Sequence, residues 1–290
     1  MPIIQTLSLD VPAKCPNNCR YCVAKTHSND YPNNLNPNGE FFDVYLDDFI
    51  SQLKYVRNCG CQTVILTGSR EPLFNKNYLV YFALINNNIL PTPFEKIELQ
   101  TSGVDLDSNF RFLRNTVNVK TISLSLSDMF DDESNANISQ MPNNLRFKIK
   151  DLCQKTLSYG FTLRLSLNMA DVYNYRTPEE IFNQAKSLGA HQLTIRVLYS
   201  SPNGNTEQDN WIKDHSCDPN VIKQLNEYVV KNGNKLGVLP FGATKYSVNE
   251  MSVVVDSDSM STKTEEIIKY AILRPNCQLY TKWEDKGSRL

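Results

Sequence analysis

The sequence predicts an α/β fold, in which a partial (β/α)6 barrel of six strand–helix units is followed by a C-terminal β-rich extension. Short apolar, β-branched segments alternate with amphipathic segments of helical length as far as about Tyr199. This alternation is typical of parallel βαβ units. Beyond Tyr199 the pattern changes to short segments that indicate hairpins. We therefore expect a barrel core over residues 1–205 and an extension over residues 206–290 that packs on the barrel.

The strands of the core are marked by short apolar runs, and its helices by apolar residues at helical spacing. The predicted strands are Thr6–Val11, Thr63–Thr67, Lys96–Thr101, Thr121–Leu126, Phe161–Ala170 and Gln192–Tyr199. The predicted helices are Leu46–Asn58, Asn77–Asn87, Phe110–Asn115, Leu145–Tyr159 and Pro178–Leu188. Gly160 and Gly189 follow the last two helices, where glycine commonly ends a helix.

The extension begins with one more amphipathic helix, at Val221–Asn232. Thr244–Val248 and Met251–Val255 flank Asn249–Glu250, which predicts a hairpin. Further strands are expected at Ala271–Leu273 and Gln278–Trp283. About 90 residues can barely form a core alone, so we expect the extension to close the barrel instead of folding independently.

The amino-acid composition of the chain argues against several functional classes. The 30 basic residues balance the 31 acidic ones, so no strong field favours nucleic acid or an anionic membrane. No apolar run approaches the ~20 residues of a transmembrane helix, and the N-terminus does not resemble a secretory signal. Eight cysteines in 290 residues are too sparse for a disulfide framework. These features indicate a cytoplasmic protein with reduced cysteines.

Three cysteines near the N-terminus, Cys15, Cys19 and Cys22, are spaced C-x3-C-x2-C. Three thiolates at such spacing can hold three irons of a 4Fe-4S cluster and leave the fourth iron open. A zinc site is normally completed by a fourth ligand, and His27 is the candidate nearby, so a Cys3His site remains open. We expect the three cysteines to lie on a loop after the first strand.

This cysteine motif resembles the signature of the radical S-adenosylmethionine (radical SAM) superfamily. The resemblance implies one 4Fe-4S cluster, S-adenosyl-L-methionine as cofactor, and an electron donor such as flavodoxin or ferredoxin. In that family the open iron binds the methionine end of the cofactor, and one electron yields a 5′-deoxyadenosyl radical that abstracts hydrogen from the substrate. It also implies a partial TIM-like barrel. Tyr21 matches the aromatic residue that the family places beside the adenine.

Further similarities lie at the ends of the predicted strands. Thr67–Leu73 resembles the glycine-rich GGEP segment of the family, which implies that Gly68, Ser69 and Glu71 meet the ammonium of the cofactor. The match is imperfect, because Ser69 replaces a glycine and Arg70 is inserted. Thr101 and Ser125 lie in segments that resemble two other cofactor-binding strand ends, and Ser125 is expected to meet the carboxylate or ribose. The alternative is that Thr and Ser lie at these strand ends only because they cap the helices that follow.

The last two core strands complete the predicted site. Alternation places Arg164, Ser166 and Asn168 on one face, and three polar residues on an inward barrel face indicate a binding site. The strand that contains Leu198 resembles the end of the barrel in molybdenum-cofactor-type cyclases, where backbone atoms hold the adenine. Those cyclases carry a second cluster on three C-terminal cysteines, whereas only Cys217 and Cys277 occur here. We therefore expect a single cluster.

These observations favour an enzyme that acts on a small-molecule substrate. Arg70, Arg164 and Arg196 suit an anionic, nucleotide-like molecule. Two alternatives remain open: a peptide- or protein-modifying radical SAM enzyme, and a zinc-stabilised binding protein without redox chemistry. His191 and His215 are isolated in the sequence, and we expect both to be structural.

Overall fold

The computed structural model describes residues 2–26, 42–200, 204–239, 243–255, 267–283 and 288–290. His27, the candidate fourth zinc ligand, lies outside the described residues. No helix in the described part of the chain is long and apolar enough to cross a lipid bilayer.

The core is one sheet whose first six strands lie side by side in chain order and run parallel. They are β1 (Ile3–Asp10), β2 (Thr63–Thr67), β3 (Lys96–Thr101), β4 (Thr121–Leu126), β5 (Thr162–Met169) and β6 (Gln192–Val197). This confirms the predicted α/β fold with a partial barrel. Because the six strands are parallel, all their carboxyl ends meet at one rim.

Helices connect the strands of the sheet. They are α1 (Val23–Thr26), α2 (Phe42–Asn58), α3 (Lys76–Asn88), α4 (Phe110–Phe112), α5 (Asp132–Ile138), α6 (Ile149–Ser158), α7 (Pro178–Ser187), α8 (Glu207–His215) and α9 (Pro219–Asn232). The longer ones, α2, α3, α6, α7 and α9, pack apolar side chains against the outer face of the sheet. A π-helical turn, Leu113–Val117, continues α4. Apolar residues of these helices, such as Phe49 and Phe82, form one buried cluster with Leu7 and Leu9 of β1.

The helix predicted at Leu145–Tyr159 is shorter than expected. It begins at Ile149, and a separate 3-10 turn, Asn143–Leu145, precedes it. Asp132 Oδ1 accepts a hydrogen bond from the Ile149 backbone N–H at 2.9 Å, so a side chain from α5 satisfies the start of α6. Sequence analysis missed α5, which is polar and carries only two buried residues, Asn135 and Ala136.

The strands of the extension join both edges of the sheet. β9 (Met251–Val255) pairs in parallel with β6, and β8 (Thr244–Val248) and β7 (Asn234–Val238) follow antiparallel. At the other edge, β10 (Ile267–Leu273) pairs in parallel with β1, and β11 (Leu279–Tyr280) follows antiparallel. Among the described strands no pairing joins β7 to β11. The expectation that the extension closes the barrel is therefore not met there; it widens the sheet instead.

The predicted hairpin is present with the expected bounds. Asn249 and Glu250 connect β8 to β9 and have positive φ angles of 49° and 64°. Two-residue hairpin turns in which both residues have positive φ angles match the twist of the flanking strands. The bounds of β10 and β11 differ from the predicted Ala271–Leu273 and Gln278–Trp283, because pairing with β1 lengthens the first and β11 pairs through only two residues.

The inner face of the barrel is largely polar. Successive side chains point to opposite faces of a strand, and the outward set, including Leu7, Leu9 and Leu66, packs in the apolar core. The inward set on β1 and β3–β6 contains acids, amides, hydroxyls and two arginines, namely Asp10, Glu98, Gln100, Ser123, Arg164, Ser166, Asn168 and Arg196. A polar interior at this depth indicates a binding cavity.

Candidate functional site

The segment that carries the three cysteines lies at the carboxyl rim of the barrel. It runs from the end of β1 to the start of α1. Val11 N–H donates to Thr67 O at 2.8 Å, which fixes the start of the segment against β2. Arg20 N–H donates to Ile138 O at 3.2 Å, which fixes its middle against α5, and Cys22 N–H donates to Cys19 O at 3.2 Å.

The thiols of this segment are close enough to influence one another. Burial raises the pKa of Cys19 to about 12, and the nearby Cys22 and Cys15 add to the rise. Three thiolates so placed repel each other, and a bound cation is the ordinary means of stabilising them. The segment therefore suits metal binding better than an isolated reactive thiol.

The donor set fits an iron–sulfur cluster. Within the described part of the chain, no three Cys, His, Asp or Glu side chains gather around one point as ligands of a single metal ion do. The cysteines of a four-iron cluster bind different irons, so their sulfurs need not meet at a point. Cys15, Cys19 and Cys22 would hold three irons and leave one iron for an external ligand.

Glu71 lies at the centre of a hydrogen-bond network at the rim. Its Oε1 accepts from Thr101 Oγ1 at 2.8 Å, and its Oε2 accepts from Ser102 N–H at 2.9 Å and from Ser102 Oγ at 2.8 Å. Burial raises the pKa of Glu71, and these three bonds oppose that rise. The structure thus brings Glu71 and Thr101, two predicted site residues, into direct contact.

The same network reaches the cysteine segment. Asn17 Nδ2 donates to Ser102 Oγ at 3.1 Å. The pKa of Cys15 is raised, first by burial of its thiol and then by neighbours that include the charge of Glu71. Sequence analysis did not single out Ser102, because a serine after a strand is unremarkable in sequence alone.

Asp10 shapes the turn that contains Gly68 and Ser69. Ser69 N–H donates to Asp10 Oδ1 at 3.0 Å. Gly68 has φ of 148°, and a Cβ there would lie 2.5 Å from Asp10 Oδ1, so the close approach requires glycine. Burial raises the pKa of Asp10 to about 6, while Ser69, Arg274 and Arg70 oppose the rise. Sequence analysis missed Asp10, although a carboxylate at the end of an apolar strand was a usable signal.

Tyr21 joins the cysteine segment to two strands. Its Oη accepts hydrogen bonds from Asn168 Nδ2 at 3.0 Å and from Ser127 Oγ at 2.9 Å. Burial raises the pKa of Tyr21, so it is a neutral phenol near pH 7. Ser125 lies two residues before Ser127, half-buried, and makes no side-chain hydrogen bond to a described residue. Ser127 is thus the β4-end residue that contacts the predicted site, and sequence analysis did not single it out.

Leu198 lies just beyond β6, which ends at Val197 rather than at the predicted Tyr199. The residue is half-buried. Its predicted contact with adenine depends on backbone atoms, and it stays a prediction.

A cluster of aromatic and ionisable side chains that includes Trp211 and His215 of α8 lies next to Tyr21. His215 Nδ1 and Asp171 Oδ2 are 2.8 Å apart, and the His215 ring stacks on Trp211 with centroids 4.7 Å apart. Trp211 in turn lies 6.3 Å from Tyr21 between ring centroids. His215 is isolated in the sequence but not in the fold, because Asp171 follows β5 and meets α8 only in the folded chain. His191 accepts from Leu163 N–H at 3.1 Å through Nδ1, in accord with a structural role.

Deeper in the barrel, two arginines reach across the inner face. Arg164 Nη1 pairs with Glu98 Oε1 at 2.5 Å, and Arg164 Nε donates to Gln192 Oε1 at 2.7 Å. Arg196 Nη2 donates to Gln100 Oε1 at 3.4 Å. Arg70 is exposed near the rim. The three predicted arginines therefore lie at different depths: Arg70 is near the rim, and only Arg164 and Arg196 lie inside the barrel.

The site therefore has two chemically distinct levels. The rim offers three thiols and a buried carboxylate, which suit a cluster together with a ligand that carries an ammonium group. The interior offers cationic and hydroxyl donors, which suit an anionic or polar molecule.

Comparison with protein families agrees with this arrangement. The family model described as the radical SAM superfamily matches residues 10–169, more than half of the chain. The match begins at Asp10, the last residue of β1, and ends at Met169, so it contains the cysteine segment and strands β2 to β5. None of the curated proteins is significantly similar to this chain in sequence.

Three solved structures illustrate the similarity in fold. Streptococcus suis SuiB bound to S-adenosylmethionine is 11% identical, with a TM-score of 0.60 over 100% of this chain and 63% of SuiB. Native anSMEcpe with bound AdoMet is 14% identical, with a TM-score of 0.62 over 99% of this chain and 77% of that protein. Coproporphyrinogen III oxidase (HemN) from Escherichia coli is 14% identical, with a TM-score of 0.52 over 94% of this chain and 63% of HemN. The chain thus spans less than two thirds of the length of SuiB and of HemN.

Proposed function

This chain belongs to the radical SAM superfamily, and from that membership we propose that it is a single-cluster enzyme that abstracts hydrogen from a small, anionic, nucleotide-like substrate. The 4Fe-4S cluster and S-adenosyl-L-methionine would together supply a 5′-deoxyadenosyl radical when one electron arrives. A flavodoxin or ferredoxin is the proposed source of that electron. The protein's part is to bind, orient and shield the reactants.

The rim residues divide the binding of the cofactor among them. Cys15, Cys19 and Cys22 would hold the cluster. Glu71 is buried beside Cys15, and its carboxylate can accept further hydrogen bonds beyond those from Thr101 and Ser102, so it would bind the ammonium group of the cofactor.

Three other predicted residues would contact the remainder of the cofactor. Ser125 is half-buried at the end of β4, where its hydroxyl can serve the carboxylate or ribose. Tyr21 is held by Asn168 and would present its ring to the adenine. The backbone at Leu198 would complete the adenine site.

The polar interior of the barrel is the observation that carries the substrate assignment. Arg164 and Arg196 extend over the inner face and make hydrogen bonds to Glu98 and Gln100 on β3. Two partly buried arginines on one inner face favour an anionic ligand that can accept bidentate hydrogen bonds. A cavity of this polarity is poorly suited to an apolar substrate.

The finer placement within the superfamily remains part of the proposal. A core similar to the molybdenum-cofactor cyclases is supported by the segment around Leu198, whereas the cysteines after the barrel, Cys217 and Cys277, are too few for a second three-cysteine cluster. A peptide substrate is the rival, because anSMEcpe has been solved with AdoMet and a peptide. That likeness is one of fold, so it does not extend the peptide chemistry to this chain.

Anaerobic turnover tests the proposal. The reconstituted protein is incubated with dithionite and S-adenosylmethionine, and 5′-deoxyadenosine and methionine are measured by liquid chromatography and mass spectrometry. Wild type should form both products, and Cys19→Ala should form neither. Cys153→Ala is the matched control, because Cys153 is buried in the apolar core and should leave product formation intact. A reconstituted wild type that forms no 5′-deoxyadenosine would contradict the proposal.

A further inference from the structure

We propose that the barrel interior contains a subsite for a carboxylate group of the substrate, bound by Arg196 together with the hydroxyl groups of Ser123 and Ser166. This inference rests on the proposed function and assigns one part of the substrate to named residues.

The guanidinium of Arg196 crosses the inner face of the sheet. Arg196 lies on β6, and its Nη2 reaches Gln100 Oε1 on β3 at 3.4 Å. β4 and β5 lie between those two strands, so the side chain passes over their inward residues. The bond is long and is the only one that the guanidinium makes to a described residue. Most of its five N–H donors therefore remain for a ligand.

Two buried hydroxyls lie in the region that Arg196 crosses. Ser123 and Ser166 are each 1% exposed, and neither Oγ has a hydrogen-bond partner among the described residues. Ser123 faces inward between Gln100 of β3 and Arg164 of β5, and Ser166 faces inward beside Ser125 of β4. A buried hydroxyl without a partner destabilises the fold, because it has lost its hydrogen bonds to water. Both groups are thus placed to donate to a ligand oxygen.

The local charges favour a single negative charge on that ligand. Arg164 is already paired with Glu98, whose side chain is 6% exposed. Arg164, Glu98 and Arg196 together therefore carry one net positive charge. Burial lowers the pKa of Arg196, while Tyr270 and Glu98 oppose the change. A half-buried guanidinium in this position is stabilised by one further anion.

These charges distinguish a carboxylate from a phosphate. A phosphate monoester carries about −1.5 to −2 charge near pH 7 and would bring excess negative charge close to buried Glu98. A carboxylate carries one charge, and its two coplanar oxygens match the donor fork of arginine. Its lone pairs can also accept from the two serine hydroxyls.

Thermal unfolding with simple anions tests this subsite on the anaerobically reconstituted full chain. Sodium acetate or sodium phosphate replaces chloride at constant ionic strength and pH. We expect 100 mM acetate to raise the Tm of wild type by about 4 °C, the shift that a site with a dissociation constant of about 1 mM gives in a protein of this size. Arg196→Gln should lose most of that shift. Arg111→Gln, which removes the same charge from an exposed position on α4, should retain it.

A serine variant separates a binding role from a structural one. Ser166→Ala removes a buried hydroxyl without a described partner, so its Tm in chloride should equal or exceed that of wild type, while the acetate shift becomes smaller. A lower Tm in chloride with an unchanged acetate shift would assign Ser166 to the fold alone and overturn its part in the subsite. This variant also serves if Arg196→Gln fails to fold.

Equal acetate shifts in wild type, Arg196→Gln and Ser166→Ala would overturn the subsite. A larger Arg196-dependent shift with phosphate than with acetate would overturn the choice of carboxylate. The measurement needs neither reductant nor turnover. A protein that responds to acetate but forms no 5′-deoxyadenosine would therefore contradict the proposed function and leave the subsite intact, and the reverse result would do the opposite.

Discussion

Asn168 Nδ2 donates a hydrogen bond to Tyr21 Oη at 3.0 Å, although the two residues are 147 positions apart in the chain. This bond joins the cysteine segment to the fifth strand. It holds the aromatic ring of Tyr21 against an inward side chain of β5. The orientation of Tyr21 therefore depends on β5 as well as on its own loop.

The first prediction concerns this bond. Asn168→Leu should weaken binding of S-adenosylmethionine by about 0.5–1.5 kcal/mol, the usual contribution of one neutral hydrogen bond. Iron content should not change, because no cysteine is affected. Equilibrium binding under anaerobic conditions measures the effect. Tyr21→Phe removes the other half of the bond, and the double variant should then weaken binding little more than either single variant. Additive effects would show that the bond does not position Tyr21.

The second prediction concerns Glu71. Glu71→Ala should weaken cofactor binding by about 1.5–3 kcal/mol, because a hydrogen bond to a charged group is lost. Glu71→Gln keeps an acceptor for Thr101 and should retain more of the stability of the rim, but it loses the charge that attracts the ammonium. Both variants should keep full iron content. Wild-type affinity in Glu71→Ala would show that this carboxylate does not bind the cofactor.

The third prediction compares two glycines that have positive φ angles. A Cβ on Gly68 would lie 2.5 Å from Asp10 Oδ1, whereas a Cβ on Gly60 would have nothing within 4 Å. Gly60→Ala should lower the free energy of unfolding by about 1 kcal/mol through backbone strain alone. Gly68→Ala should lower it by about 1–3 kcal/mol more, since overpacking is added to the strain. Urea unfolding measures both, and equal losses would contradict the close approach of Asp10.

The fourth prediction concerns pH. Burial raises the pKa of Asp10 to about 6 from an ordinary value of 3.8. The folded state therefore favours the protonated form of Asp10. The stabilisation that this preference gives to the folded state is complete below pH 3.8 and is lost as pH rises through about 6. Asp10→Asn keeps an acceptor for Ser69 N–H and has no charge to desolvate.

The stability of Asp10→Asn relative to wild type should therefore rise by about 2–3 kcal/mol between pH 4 and pH 7.5. Thermal unfolding of both proteins across this range measures the difference. A difference that is the same at both ends of the range would show that Asp10 titrates normally.

The fifth prediction concerns the other cysteines. Cys217 and Cys277 are buried and distant in sequence, and we propose that neither binds a cluster. The double variant Cys217→Ala, Cys277→Ala should keep the same iron per chain, although loss of buried sulfur should lower its Tm. A loss of about half of the iron would indicate a second cluster, because such sites need several thiolates.

The sequence predicted the core strands and the rim motifs with good accuracy because both are local patterns. The bounds of β2, β3, β4, β8 and β9 agree with the structure, since each is a short apolar run between turn-forming residues. The spacing of Cys15, Cys19 and Cys22 likewise identified the family that the comparison supports.

Contacts between distant segments could not be predicted in this way. Asp10, Ser102 and Ser127 acquire their partners only when strand ends meet at the rim, and a single polar residue leaves no periodic signal. The pairing of His215 with Asp171 has the same origin. The position of β10 beside β1 was missed because short extension strands carry no information about which edge they join.

The central claim is that Cys15, Cys19 and Cys22 hold one 4Fe-4S cluster whose open iron binds S-adenosylmethionine. Electron paramagnetic resonance of the dithionite-reduced protein, recorded before and after addition of S-adenosylmethionine, tests this most directly. We expect the signal of a single reduced cluster that changes when the cofactor is added, and no cluster signal in Cys19→Ala. A zinc-containing protein without a signal, or a cluster signal that the cofactor leaves unchanged, would contradict the claim.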